Sequence, residues 1–231
     1  MNSGFQAFAL TVPLVLALAA AATTGCVTSR GELKLEMPAA QSASTSAGRI
    51  VVIGAVRDLR VFQDHPDKPS IPSLGFGGPV EKVPDSIKQR AIARKRSNWG
   101  IAYGDILLEE GQTVEGLVRA AVASALESCG FRVRDHAGGE GKGAARVDVN
   151  VQKFWGWFNP GVGKTYLNAW TETKFAITVD GRTRLVPVER RIKKNVHGMA
   201  AGRHWKECFE DLLKAYVDDV KSKVCAGLSH P

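Results

Sequence analysis

Between Thr113 and Val196 the spacing of apolar side chains switches from a helical period to a strand period, so helix must pack on sheet. Val114, Leu117, Val118, Ala121, Val122, Ala125 and Leu126 recur three and four residues apart and line one stripe of a helix. Thr113 supplies an N-cap hydroxyl, and Gly130 suits the left-handed position beyond the C-terminus. From Ala145 the period is two. Val147, Val149 and Val151 alternate with Asp148, Asn150 and Gln152, and over Tyr166–Val179 the residues Thr171, Thr173, Phe175, Ile177 and Val179 oppose Glu172, Lys174 and Thr178. Such alternation predicts antiparallel strands with one face on the core. Asp180-Gly181 is a hairpin turn into a strand at about 183–196.

A last helix from about Arg203 to Val224 places Trp205, Phe209, Leu212, Leu213, Tyr216, Val217, Val220 and Val224 on one broad face. Upstream, Arg49–Val56 reads as a buried strand, 60–84 as an irregular Pro- and Gly-rich stretch, Asp85–Ser97 as a short helix and Phe131–Arg134 as a strand. The expected class is α+β: a mostly antiparallel sheet with two helices packed on one face, in a single domain over 49–228.

Residues 1–25 carry no charged side chain, and Ala7–Ala22 are apolar apart from Thr11 and Pro13. That run is shorter than the roughly 20 residues needed to cross a bilayer and ends in small residues, as a signal peptide does. Gly25-Cys26 behind Ala19–Ala22 resembles the lipobox of bacterial lipoproteins. The resemblance implies cleavage before Cys26, a diacylglyceryl cysteine and a palmitate-type acyl chain on its amine. Val27 stands where an aspartate would retain a lipoprotein at the inner membrane, so the expected address is the periplasmic face of the outer membrane. Residues 26–48 then read as the lipidated cysteine and a flexible tether, because Ser, Ala and Thr bury too little surface to offset ordering.

The formal net charge is +8, and two segments carry more than all of it. Residues 82–97 hold six basic side chains against Asp85, and residues 182–206 hold eight against Glu189. Neither interleaves the aromatics of a nucleic-acid stacking platform, and export removes that ligand, so no nucleic acid is expected. Anionic lipid, lipopolysaccharide phosphate or an acidic envelope protein remain as counterparts for Arg94, Lys95, Arg96, Arg190, Arg191, Lys193 and Lys194. The alternative is a solvated face serving solubility. In Phe154-Trp155-Gly156-Trp157-Phe158 alternation puts Trp155 and Trp157 together, either under the Pro-rich segment or as an exposed docking patch.

No catalytic constellation stands out. Gly161-Val162-Gly163-Lys164-Thr165 suggests a phosphate loop, but Phe158 occupies the first glycine position and a strand follows in place of a helix. Metal-type CxxC pairs and HExxH are absent, so neither metal nor cofactor is expected. An envelope hydrolase would need His65 or His136 beside an acid in a pocket. Cys208 and Cys225 lie about 25 Å apart along one expected helix and cannot pair. Cys129 can pair with either; Cys129–Cys225 is the preferred disulfide, with buried free thiols the alternative.

Arg94-Lys95-Arg96, Gly104-Asp105-Ile106-Leu107-Leu108 and Gly111-Gln112-Thr113-Val114, running into the helix that ends Cys129-Gly130-Phe131-Arg132-Val133, resemble the small YajG-type bacterial lipoproteins. The resemblance implies a single domain behind a lipidated cysteine and transfers no active site. The expected function is a lipid-anchored periplasmic binding or scaffold protein of the cell envelope, with binding of anionic lipid or lipopolysaccharide linked to envelope transport as the alternative.

Overall fold

A computed structural model of the chain describes residues 30–38, 49–75, 79–96, 102–135, 144–161, 164–197 and 200–229. In order these form β1 (Gly31–Leu33), β2 (Ile50–Asp58), a 3-10 turn (Val80–Lys82), α1 (Asp85–Lys88), β3 (Ala91–Arg96), β4 (Ala102–Leu108) and α2 (Val114–Ser128). There follow β5 (Arg132–Asp135), β6 (Ala145–Gly161), β7 (Lys164–Val179), β8 (Arg182–Val196), α3 (Gly202–Val220), a π turn (Lys221–Cys225) and α4 (Ala226–Ser229).

The eight strands make one sheet, ordered β1-β4-β3-β6-β2-β5, with β7 and then β8 added along the other edge of β6. The class is α+β, but the sheet is mixed where a mostly antiparallel one was expected. β1–β4, β2–β5, β2–β6 and the short β3–β6 contact are parallel; β3–β4, β6–β7 and β7–β8 are antiparallel. Alternation of polar and apolar residues reports which faces are covered, and it carries no information on strand direction.

α2 and α3 share one core with the inward residues Val51, Ile53, Val147, Val149, Val151, Phe175 and Ile177. The Thr113 hydroxyl caps α2 by accepting from the Gly116 amide at 3.1 Å, and Gly130 has φ +85° beyond its end. Asp180 and Gly181 both have positive φ, 49° and 75°, as a type I′ hairpin turn requires. A disulfide joins Cys129, after α2, to Cys225 in the π turn, with 6.4 Å between the Cα atoms. Cys208 is free and buried.

β6 changes inward set partway along. Val151 pairs with Thr173 and Lys153 with Glu172, so Gln152 is the extra residue of a bulge. Before it Val147, Val149 and Val151 face the helices; after it Phe154 does, stacking on Phe209 at 5.4 Å. The bulge therefore sends Lys153, Trp155 and Trp157 to the opposite face. There Trp155, with Leu74, Val83, Ala91 and Leu107, forms a second small core that Phe62, Ile87 and Trp157 flank. Arg60 pins this layer down. Its guanidinium donates to the carbonyls of Ala91, Phe154 and Lys88 at 2.5–3.0 Å and to the Asp58 carboxylate at 2.6 and 2.8 Å.

Two expectations are corrected. The helix over 85–97 survives only as α1, because Ala91, Ile92 and Ala93 are covered on both sides of the sheet and continue as β3. The tether over 26–48 is interrupted: residues 31–33 pair with β4, and Leu35 is 2% exposed. Gln112 holds that strand on, accepting from the Leu35 amide at 3.1 Å and donating to the Leu35 carbonyl at 2.8 Å.

Candidate functional site

A strand separates neighbouring side chains onto opposite faces, and this splits both basic runs. In β8, Arg190 and Lys194 face α3. Arg190 donates to Asp219 at 2.6 Å, and Lys194 reaches Asp211 and Glu207 at 3.0 and 3.1 Å. Burial opposes the Lys194 charge, but those two carboxylates outweigh it and raise the ammonium above the usual lysine value. Both cations are thus ion-paired with carboxylates of α3, partners that the sequence reading of a basic run did not include.

Arg191 and Lys193 lie on the other face, away from α3 and exposed. The Arg191 guanidinium sits 3.9 Å from the centre of the Trp170 ring and its Nε donates to Glu189 at 2.8 Å; the Lys193 ammonium lies 4.3 Å from the centre of Tyr166. Lys153 of β6 covers Trp170 as well, at 3.7 Å. Burial and the neighbouring Arg191 charge depress the Lys153 ammonium, with Glu172 pulling the other way. This face thus interleaves three cations with two aromatic rings. Trp170, Tyr166 and Lys153 were not singled out from the sequence, although Trp170 falls in phase with Glu172 and Lys174 on the polar side of β7.

Trp155 is no docking residue: it is 1% exposed, its Nε1 donates to the Pro69 carbonyl at 3.2 Å, and Phe62 meets it edge-on at 6.0 Å. Trp157 is half-buried beside it. The described parts of the Pro-rich segment, 60–75 and 79–84, cover this end of the sheet.

In β3, Arg94 and Lys95 diverge in the same way. Arg94 lies 4.0 Å from the wholly buried carboxylate of Asp105, which Arg30 approaches from another side at 3.5 Å. Burial raises the Asp105 carboxyl above the ordinary carboxylate value, against the opposing pull of Arg94 and Arg30. The Arg94 guanidinium rests directly on Gly75, where a Cβ would overlap its Nη2 at 1.3 Å. It also lines a cleft of about 370 Å³ with Asp64, His65, Leu74, Gly75 and Pro79. His65 therefore does share a cleft with an acid. Asp64 is engaged by the Val80 amide at 2.6 Å, and among the described residues no hydroxyl, thiol or amine lines the cleft. The Lys95 ammonium lies on the other face, beside Gly31 of β1.

Cys26, His136 and the side chain of Arg96 lie outside the described residues, as do Val162 and Gly163 of the glycine-rich stretch, whose flanks Gly161 and Lys164 pair as the end of the β6–β7 ladder. Among the described residues no group of three His, Cys, Asp or Glu is disposed to hold a metal ion, and no helix is long and apolar enough to cross a membrane.

No family model matches the chain, and no curated protein matches it. Solved structures similar to it include an uncharacterized protein, 12% identical over 87% of this chain and 99% of its own, with a TM-score of 0.39. Another is a "putative neuraminyllactose-binding hemagglutinin homolog" from Helicobacter pylori, 10% identical over 82% of this chain and 92% of its own, with a TM-score of 0.36.

Proposed function

We propose that this is a lipid-anchored binding or scaffold protein of the bacterial cell envelope, held through Cys26 at the periplasmic face of the outer membrane, which docks an acidic protein partner on the outer face of β7–β8. The observation that carries the docking surface is the seating of Arg191 on Trp170 and Lys193 on Tyr166. A cation already ordered on a ring loses less freedom on binding than a free lysine or arginine, so its charge is better used in recognition. The lipobox-like Gly25-Cys26 and the YajG-type resemblance support the anchor.

The test is crosslinked affinity purification from native membranes, comparing wild type with Arg191→Glu/Lys193→Glu. Recovery of the partner should fall at least tenfold with the thermal midpoint unchanged. Equal recovery would remove the assigned role from this face. Fatty-acid labelling of wild type against Cys26→Ser checks the anchor separately.

A further inference from the structure

Among the described residues β8 pairs with β7 alone, so one of its two backbone edges stays open. Two observations show which groups line that edge. The Val188 carbonyl accepts from the Thr173 hydroxyl of β7 at 3.3 Å, so Val188 turns its backbone polar groups toward β7. Pro187, its neighbour, has no N–H to give and belongs on the open side, where the ladder with β7 needs none. The backbone groups of successive strand residues point to alternate sides. Arg190, Ile192 and Lys194 therefore bond to β7, while Glu189, Arg191, Lys193 and Asn195 direct their N–H and C=O groups outward.

From Glu189 to Asn195 is about 20 Å of strand. All four outward residues are exposed, and no backbone group of a described loop or helix bonds to them. An edge of that length is a template for another strand, and its side chains decide which strand it accepts. Antiparallel pairing of 189–195 with the same run of a second copy would set Arg191 opposite Lys193, and like charges directly opposite destabilise a ladder. A segment with carboxylates at those two positions is favoured by the same rule.

The surroundings narrow that segment further. Arg191 and Lys193 lean back over Trp170 and Tyr166 of β7, so a carboxylate on the open side must reach across to them, and glutamate reaches farther than aspartate. Glu189 disfavours a third carboxylate at its own level. On the helix face, half-buried Ile192 stands between Arg190 and Lys194, whose charges carboxylates of α3 already meet. The residue between the two glutamates is therefore apolar.

We infer that β8 receives an extended acidic segment of the partner as a further strand, antiparallel to it over 189–195, with glutamates opposite Arg191 and Lys193 and an apolar residue between them against Ile192. In this mode main-chain hydrogen bonds supply the affinity and alternate side chains the specificity. The inference rests on the acidic docking face proposed above and adds the form in which the partner binds it.

The probe is the capped heptapeptide Thr-Thr-Glu-Val-Glu-Thr-Thr, titrated to millimolar concentration against the full-length protein in detergent. Its controls are the permuted Thr-Thr-Glu-Glu-Val-Thr-Thr, of equal charge, and the parent peptide N-methylated at both glutamates. The parent should bind at least tenfold more tightly than either control. It should also slow amide exchange severalfold at Glu189, Arg191, Lys193 and Asn195, read residue by residue by mass spectrometry, with Arg190, Ile192 and Lys194 slow throughout. Arg191→Glu/Lys193→Glu should abolish binding of all three peptides. Equal binding of parent and controls, lost in the charge-reversed protein, overturns strand addition and leaves the acidic docking face standing. Absence of charge-dependent binding by any of the three overturns both. Protection of the four outward amides before peptide is added overturns the open edge, and protection that grows with protein concentration assigns that edge to a second copy.

Discussion

Trp155 and Trp170 stand directly opposite each other across the β6–β7 ladder, on the same face of the sheet. Yet one is sealed beneath the Pro-rich segment with its indole N–H donating to Pro69, and the other carries Lys153 and Arg191 on its ring. Trp155→Ala should cost about 3–5 kcal/mol, as a buried aromatic deletion does, whereas Trp170→Ala should cost about 1 kcal/mol, in the range of exposed cation–π contacts. Urea unfolding of the two variants decides it. The order should reverse in partner recovery, where only Trp170→Ala leaves its cations unseated.

Arg60 joins three carbonyls and a carboxylate in a buried position. Arg60→Ala should destabilise by about 3–5 kcal/mol, since it strands Asp58 and the carbonyls without a partner. Arg60→Lys should recover less than half of that, because a point ammonium cannot span the fork that a planar guanidinium fills. Denaturant midpoints for the pair would show whether geometry or charge alone holds the layer.

The disulfide closes a loop of 96 residues. By loop-closure entropy its removal through Cys225→Ser should cost about 4–5 kcal/mol. Cys208 presents the opposite case: burial pushes its thiol up to about 12, so it should stay unalkylated by iodoacetamide at pH 8 in folded protein and react fully in urea. Peptide mass spectrometry reads the two states directly.

Asp105 and Asp148 should tilt stability in opposite senses with pH. Asp148 is held below the usual carboxylate value chiefly by its hydrogen bonds from Arg146, so its contribution is present above that value and lost as pH falls through its folded pKa. Asp105 is raised by burial, so its ionisation costs stability as pH rises above the ordinary carboxylate value. Between pH 3 and 6, Asp148→Asn should lose ground against wild type with rising pH, and Asp105→Asn should gain it. Parallel slopes in urea titrations would contradict this.

What the sequence made legible was whatever a local period or turn residue states outright. Thr113, the stripe through Leu126, Gly130 and Asp180-Gly181 each act within a few residues, and each stands where its chemistry places it. β3 was hidden because Arg94-Lys95-Arg96 resembles a solvated helix surface, while the reason for its extended form lies in layers above and below it. β1 was hidden in a Ser- and Ala-rich stretch, although Leu33, Leu35 and Met37 alternate with Lys34 and Glu36 as a strand does. The candidate face was the least legible. It depends on a one-residue bulge at Gln152 and on β7–β8 register, which set Lys153, Trp170 and Arg191 together from three strands.

The short strand at the start of the domain also has a mechanical meaning. A pull on the chain before Arg30, directed along β1, loads its ladder with β4, the Arg30–Asp105 ion pair and the Gln112 clasp side by side, so they share the force where a peeling edge would meet it one bond at a time. Should that clasp yield, the segment between Cys129 and Cys225 cannot be drawn out, because the cross-link carries the tension past it. Only a load that enters before Cys129 and leaves after Cys225 is carried past strands β6 to β8 in this way; a force applied to those strands themselves is borne by their own ladders.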